Sequence, residues 1–174
     1  MPNAAKLMAA FGMAVHVANR SPVTSERYTA VYGLDELNNM LSAVDIVVNT
    51  LPLTPSTVSL IDGSAFTAMQ RHCVFLNVGR GGVVDEDALY DALADKTIGG
   101  AIIDTWYSYP TDTSTPHRPA TRRFEELPNI VMTPHMSGWT SGTIARRQAT
   151  IADNITRLAE GLPLINQLNE ETLE

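Results

Sequence analysis

Three side chains in this sequence have the types and settings to do chemistry together: Arg80, Asp104 and His135. Arg80 stands between glycines in FLNVGRGGVVDED, Phe75 to Asp87, where an apolar run from Cys73 to Val78 breaks at Gly79. A lone cation at the exit of a buried strand is an odd thing to build for stability alone. An arginine fork grips a carboxylate bidentately. Asp104 closes a second apolar run, GGAII, and an aspartate can accept from a carboxamide. His135 follows Pro134 at the end of a third, and an imidazole passes protons near neutral pH. Asn19-Arg20-Ser21 and Pro52 end two more. Singly, each has an ordinary explanation: Arg80 as an ion-pair partner, Asp104 as a helix cap, His135 as a partner for a carbonyl. Their shared placement at strand ends shifts the weight, because open parallel sheets take ligands outside the carboxyl ends of their strands.

The elements that must position these residues follow from periodicity. Ala4 to Phe11 has good helix propensity and stops at Gly12. Met13 to Ala18 reads as a short strand, Asp35 to Ser42 as a helix, and Asp45 to Leu51 (DIVVNTL) as a buried strand. Ser64 to Met69 is a helix, and the run from Cys73 is the next strand. Asp85, Glu86 and Asp87 place acids where a helix N-terminus favours them, so a helix runs from Asp85 to Ala94. Gly99 to Ile103 and Ile130 to Met132 are strands, with an irregular segment from Tyr107 to Glu126 between them. Ile144, Ile151, Ile155 and Leu158 recur at helical spacing from Ser141 to Glu160, before Gly161 and Pro163. Strands alternating with helices predict a parallel sheet covered on both faces, an α/β, Rossmann-like doubly wound fold.

Composition narrows the function classes. The chain has 174 residues, 44% of them hydrophobic and 18% charged, which is ordinary for a globular domain. A formal net charge of -7 argues against a nucleic-acid or anionic-membrane surface. The single cysteine, Cys73, rules out a disulfide framework or a thiolate metal cluster and reads as a small buried hydrophobe. No stretch reads as a bilayer span or a signal peptide, so a cytoplasmic protein is expected, and the triplet Asn154-Ile155-Thr156 is read as a chance match to the glycosylation signal.

An anion clamp, a proton carrier and a carboxamide acceptor are what hydride transfer between a nicotinamide and a small acid requires. The strings AFGMAV, LPLTPST, LNVGRGGVVDEDAL, GGAIID and LPNIVMTPHMSGWT resemble the D-isomer-specific 2-hydroxyacid dehydrogenases, in their cofactor-binding domain, from about Ala4 to Asn169. The resemblance implies an NAD(P)-dependent oxidoreductase acting on a small 2-hydroxy or 2-keto acid. It implies that Arg80 binds the substrate carboxylate or carbonyl, that His135 is the general acid/base, and that Asp104 holds the nicotinamide carboxamide. Pro52, Thr57, Val78 and Gly79 would line the cofactor, with Ser137 and Gly138 flanking the nicotinamide site. A homodimer is expected of the full-length parent, with the helix from Ser141 to Glu160 and the segment before it as candidate contacts.

Three departures from the family pattern qualify this. The family usually carries a glutamate five residues after the aspartate; here that position is Tyr109. A phenol can orient an imidazole but stabilises imidazolium far less than a carboxylate does. The related formate dehydrogenases also lack the acid, so formate-type hydride abstraction is the second enzymatic reading. Next, the strand-end acid that binds the adenosine ribose in NAD-preferring domains is absent. Asn19, Arg20 and Ser21 stand there instead and would suit a 2′-phosphate, which favours NADP over NAD. Last, the chain has no G-x-G-x-x-G loop. By the resemblance, the first strand and most of that loop lie upstream, leaving a truncated NAD(P)-binding domain at 1–161 and a tail at 162–174 that would return to a missing substrate domain. Two half-sheets with unpaired inner edges are then expected. A non-catalytic dinucleotide-binding or inactive truncated module is the reading from another class.

Overall fold

A computed structural model describes residues 2–21, 23–24, 26–112 and 117–167, with the backbone alone at 2 and 3. The chain separates into two compact units, Met1–Met132 and Thr133–Glu174.

The first unit opens with α1 (Pro2–Ala10). Gly12 ends it at φ +78, a left-handed turn that glycine adopts without strain. β1 (His16–Ala18) follows and pairs in parallel with β2 (Ala30–Tyr32). β2 is not among the strands expected from the sequence; Ala30–Tyr32 is a strand through its pairing with β1. The helix expected from Asp35 begins as a 3₁₀ turn at Leu34–Glu36 and continues as α2 (Leu37–Ser42), burying Leu37 and Leu41. β3 (Ile46–Asn49) leads to α3 (Gly63–Ala68), whose first turn is held by the Asp62 carboxylate accepting from the Ser64 and Ala65 amides at 2.9 and 3.0 Å. β4 (Val74–Asn77) runs through a 3₁₀ turn at Gly81–Val83 into α4 (Glu86–Ala94). Asp85 caps α4 by accepting from the Ala88 amide at 2.8 Å, so the acidic run sits where the helix end favours it. β5 (Gly100–Ile103) and β6 (Ile130–Met132) complete the unit.

Among the described residues the strands form two sheets, β1-β2 and β3-β4-β5-β6, with every pairing parallel. This is the division expected of a doubly wound sheet without its first strand. The core gathers around the larger sheet: Phe75 and Phe66 meet edge to face at 5.4 Å, among buried Leu41, Leu89, Leu93 and Ile103. Cys73 is fully buried there, and burial pushes its thiol pKa up, so it packs as a hydrophobe. The segment from Tyr107 to Glu126 is irregular apart from a 3₁₀ turn at Phe124–Glu126, and residues 113–116 lie outside the described set. Arg122 fastens it to α4, pairing with Asp87 and Asp91 and lying 4.0 Å over the Tyr90 ring.

The second unit is dominated by α5 (Ser141–Ala159), capped by Thr140, whose hydroxyl accepts from the Thr143 amide at 3.1 Å. Asn154 pins the chain beyond the helix: its amide nitrogen donates to the Ile165 carbonyl, and its oxygen accepts from the Ile165 amide. The glycosylation-like triplet therefore has its asparagine engaged in a structural contact. Of the expected tail, residues 168–174 lie outside the described set.

Candidate functional site

β3, β4 and β5 are adjacent and parallel, so their carboxyl ends emerge side by side. Asn49 and Asn77 are register partners at the last positions of β3 and β4, and both are buried, at 4% and 1% exposure. A buried amide left unpaired costs about 1–3 kcal/mol, and these two are joined. Asn49 Nδ2 donates to Asn77 Oδ1 at 3.0 Å, while Asn49 Oδ1 accepts from the Leu51 amide at 3.1 Å. Asn77 Oδ1 also accepts from the Gly79 amide at 3.2 Å, and Asn77 Nδ2 donates to the Arg80 carbonyl at 3.3 Å. One asparagine pair thus holds the turn after β3 and the turn after β4 in a common frame.

Two glycines let those turns close up. A Cβ on Gly79 would meet the Leu51 carbonyl oxygen at 2.8 Å, and one on Gly81 would meet the Trp106 carbonyl oxygen at 2.2 Å. The loop after β5 therefore lies directly against the Arg80 turn. Asp104, 2% exposed at the end of β5, donates its backbone N–H to the Asn77 carbonyl at 3.0 Å. Arg80 itself is exposed, with Nη1 donating to the Gly79 carbonyl at 2.8 Å. Its carbonyl accepts from Asn77 Nδ2 and from the Val83 amide, and the glycines on either side of it lie against Leu51 and Trp106.

The other expected residues take varied places. Pro52 is exposed after β3. Thr57 is buried, and its hydroxyl donates to the Pro52 carbonyl at 2.7 Å and accepts from the Thr54 amide at 2.8 Å, closing that loop from within. Val78 is half-buried beside Gly79. Asn19, Arg20 and Ser21 follow β1 in the smaller sheet, with Asn19 Nδ2 donating to the Ser21 carbonyl at 2.9 Å. Tyr109 is 46% exposed, and its hydroxyl accepts from the Trp106 amide at 3.0 Å. His135, Ser137 and Gly138 belong to the second unit, ahead of α5. His135 has φ +57, a left-handed conformation uncommon for a residue with a side chain.

Asn49, Asn77 and Trp106 were not among the expected site residues. The signal for the asparagines was present: each interrupts an otherwise apolar strand, DIVVNTL and FLNV, at its carboxyl end.

Comparison with known proteins identifies the family. Residues 2–137 match the model of the family described as D-isomer specific 2-hydroxyacid dehydrogenase, NAD binding domain. A glyoxylate/hydroxypyruvate reductase B of Pectobacterium carotovorum is 34% identical over 139 residues, covering 80% of this chain and 41% of that protein. A glycerate dehydrogenase of Methylorubrum extorquens is 35% identical over 132 residues, covering 75% of this chain and 40% of that protein. The chain thus spans about two-fifths of the length of these relatives. Among solved structures, an NADPH-dependent glyoxylate/hydroxypyruvate reductase of Sinorhizobium meliloti, in complex with NADP and sulfate, superposes with a TM-score of 0.80 at 28% identity, covering 98% of this chain and 52% of that one. A D-isomer specific 2-hydroxyacid dehydrogenase of Xanthobacter autotrophicus, in complex with NADPH and MES, gives 0.78 at 32% identity, covering 95% and 65%. The chain belongs to the D-isomer specific 2-hydroxyacid dehydrogenase family, through that family's NAD-binding domain.

Proposed function

We propose that this chain is the cofactor-binding part of an NAD(P)-dependent oxidoreductase acting on a D-2-hydroxy acid or its 2-keto partner. The observation that carries the reading is the convergence of Pro52, Val78-Gly79-Arg80 and Asp104 on the joined ends of three parallel strands. Bound there, a nicotinamide supplies the hydride acceptor or donor. The residues suit its carboxamide end: Asp104 is an acceptor at a strand terminus, and Gly79 leaves the turn beside it without a side chain. The sequence contains no G-x-G-x-x-G turn for the pyrophosphate, so the isolated chain is expected to bind dinucleotide weakly or not at all.

In this reading Arg80 holds the substrate carboxylate in its fork and orients the reacting carbon. His135 moves the proton at the substrate oxygen, protonated when a keto acid is reduced and neutral when the alcohol is oxidised. Arg20 and Ser21 favour NADP, since the end of β1 offers a cation and a hydroxyl where an acid would repel a 2′-phosphate. Thr57 acts through the Pro52 loop that it braces, and Ser137 and Gly138 flank the nicotinamide. The parent is read as a cytoplasmic homodimer, its contact drawing on the α5 stripe of Ile144, Ile151, Ile155 and Leu158, each at least 40% exposed. Among the described residues no helix is long and apolar enough to cross a membrane.

A chimera tests the proposal. This chain replaces the matching segment of the Pectobacterium reductase, circular dichroism checks folding, and NADPH oxidation is followed with hydroxypyruvate. Arg80→Ala is expected to lower kcat/KM on the order of 100-fold; an unchanged value rejects the substrate-clamp role. Formate as a second substrate addresses the alternative raised by Tyr109. Oxidation of formate, with no turnover of keto acids, replaces the hydroxyacid reading.

A further inference from the structure

The acidic run Asp85-Glu86-Asp87 reads in the sequence as helix-end chemistry, and the structure divides it among separate partners. Asp85 caps α4. Glu86, half-buried at the first helical position, directs a single carboxylate oxygen at the far end of the irregular segment. Its Oε1 accepts from the Thr121 amide, the Thr121 hydroxyl and the Arg122 amide at 2.5, 2.7 and 2.7 Å. Asp87 and Asp91 take the Arg122 guanidinium at 2.7 and 3.0 Å. Those two ion pairs lie on an exposed surface, where such pairs contribute little. The Glu86 contact is of another kind: three donors converge on one anionic oxygen, and hydrogen bonds to a charged acceptor are the stronger class.

The near end of the same segment meets this clamp. The Tyr107 and Ser108 amides both donate to the Pro119 carbonyl, at 3.2 and 3.0 Å, so the two ends are joined just before Thr121. The Trp106 carbonyl lies against Gly81, and the Trp106 amide donates to the Tyr109 hydroxyl at 3.0 Å. Gly81 follows Arg80 and leads through its 3₁₀ turn back into α4. The path therefore closes on itself, from the Arg80 turn through α4, Glu86, Thr121 and Pro119 to Trp106 and the Arg80 turn again. The side chains beside Trp106 do not choose this position. Among the described residues the hydroxyls of Thr105 and Tyr107 are buried without a hydrogen-bond partner, which costs stability. Burial pushes the Tyr107 phenol pKa up, and the Glu86 carboxylate adds to that effect. A segment settling by its own contacts would satisfy those hydroxyls; this one is held from outside.

We propose that Glu86 is a positioning residue: by holding Thr121 and Arg122 to the start of α4, its carboxylate sets the Trp106–Tyr109 turn against the Arg80 turn and so fixes where Arg80 presents its guanidinium. The consequence for activity rests on the oxidoreductase reading, in which Arg80 takes the substrate carboxylate; the coupling between the two turns does not. Misplacing a substrate-orienting group by about 1 Å costs on the order of 100-fold in rate. Loss of Glu86 relaxes the turn without removing the arginine fork, so its effect is the smaller of the two.

Two measurements decide it. In the 174-residue chain, NMR follows the backbone amides of Gly81, Trp106, Tyr107 and Ser108 in Glu86→Ala and Glu86→Gln. Alanine is expected to shift all four and to speed exchange at Tyr107 and Ser108 about 10-fold. Glutamine keeps an acceptor oxygen and should restore the parent spectrum. Unmoved Gly81 and Trp106 amides in Glu86→Ala overturn the proposal, as does a glutamine no better than alanine, since the charge at the helix end is then what counts. If Glu86→Ala fails to fold, Glu86→Asp replaces it under the same criterion, keeping the charge and shortening the reach. In the Pectobacterium chimera, Glu86→Ala should raise KM for hydroxypyruvate about 10-fold, with kcat and KM for NADPH within about twofold. A merely structural role lowers the active fraction, and so kcat, and leaves both KM values alone. In the Arg80→Ala background Glu86→Ala should have no further effect on kcat/KM, because no guanidinium is left to place. An equal loss in both backgrounds, or a fall in kcat alone, overturns the proposal. If the parent chimera turns over no keto acid, the oxidoreductase reading fails by itself, and the amide shifts decide whether Glu86 couples the two turns.

Discussion

The two sheets of the first unit use the same kind of strand and end in different circumstances. In the four-stranded sheet, β4 buries Phe75 and Asn77 completely or nearly so, and the ends of β3, β4 and β5 are cross-linked through side chain and main chain. In the two-stranded sheet every residue of β1 is half-buried, and Val31 at the centre of β2 is 44% exposed. Short parallel strands gain little from their own hydrogen bonds; what separates the two sheets is apolar burial and the tying of strand ends. The residues assigned to substrate and nicotinamide in this unit sit on the tied sheet, and those assigned to the adenosine end sit on the loose one.

The largest expected effect is at Phe75. Phe75→Ala removes a fully buried ring from the tied sheet and should cost about 3–5 kcal/mol in urea unfolding. A loss below about 1 kcal/mol would contradict the assignment of the core to that sheet. Gly81→Ala forces a Cβ onto the Trp106 carbonyl and should cost about 1–3 kcal/mol, with chemical-shift changes on both sides of the contact, at Arg80 and at Trp106. Asn77→Ala leaves the Asn49 amide and the Gly79 N–H without their buried acceptor. It should cost about 1–3 kcal/mol and accelerate exchange at the Leu51 and Gly79 amides; unchanged exchange there would show that the strand ends are held by something else.

At Asp62 the expected cost is about 0.5–2 kcal/mol on replacement by alanine at neutral pH. The Ser64 hydroxyl, and then the Ala65 amide, hold its carboxyl pKa below the ordinary value. A depressed folded pKa means that the contribution is present above about pH 4, the ordinary carboxylate value, and is lost as pH falls through the folded one. Urea midpoints of parent and variant should therefore converge at low pH. The smallest effect is expected at Val17 in the loose sheet, where Val17→Ala should cost less than about 1 kcal/mol. A cost matching that of Phe75→Ala would erase the contrast between the sheets.

Much of the tied sheet was legible in the chain. The apolar run before Gly79, the acids at Asp85 to Asp87 and the spacing of Leu89 and Leu93 announce strand, turn and helix in order, because burial and capping are local in their demands. The stripe on α5 was equally plain as periodicity, and all four of its marker residues are exposed. β2 was not legible, since Ala30–Tyr32 is a strand only by virtue of its pairing with β1. Nor was the role of Asn49 and Asn77, which stand 28 positions apart and acquire a role only when register sets them opposite one another.

The amino-acid sequence alone therefore determined the alternation of strands and helices, the caps, the family motifs and the residue types at the strand ends. All of these are set by interactions within a few positions of the chain. The tertiary structure decided that the strands form two sheets, that Arg80 is braced by an asparagine pair and two glycine contacts, and that the Glu86 carboxylate takes the Thr121 and Arg122 amides. Those features depend on which backbone groups find partners across long separations, and a strand's local pattern carries no record of the neighbour it will meet.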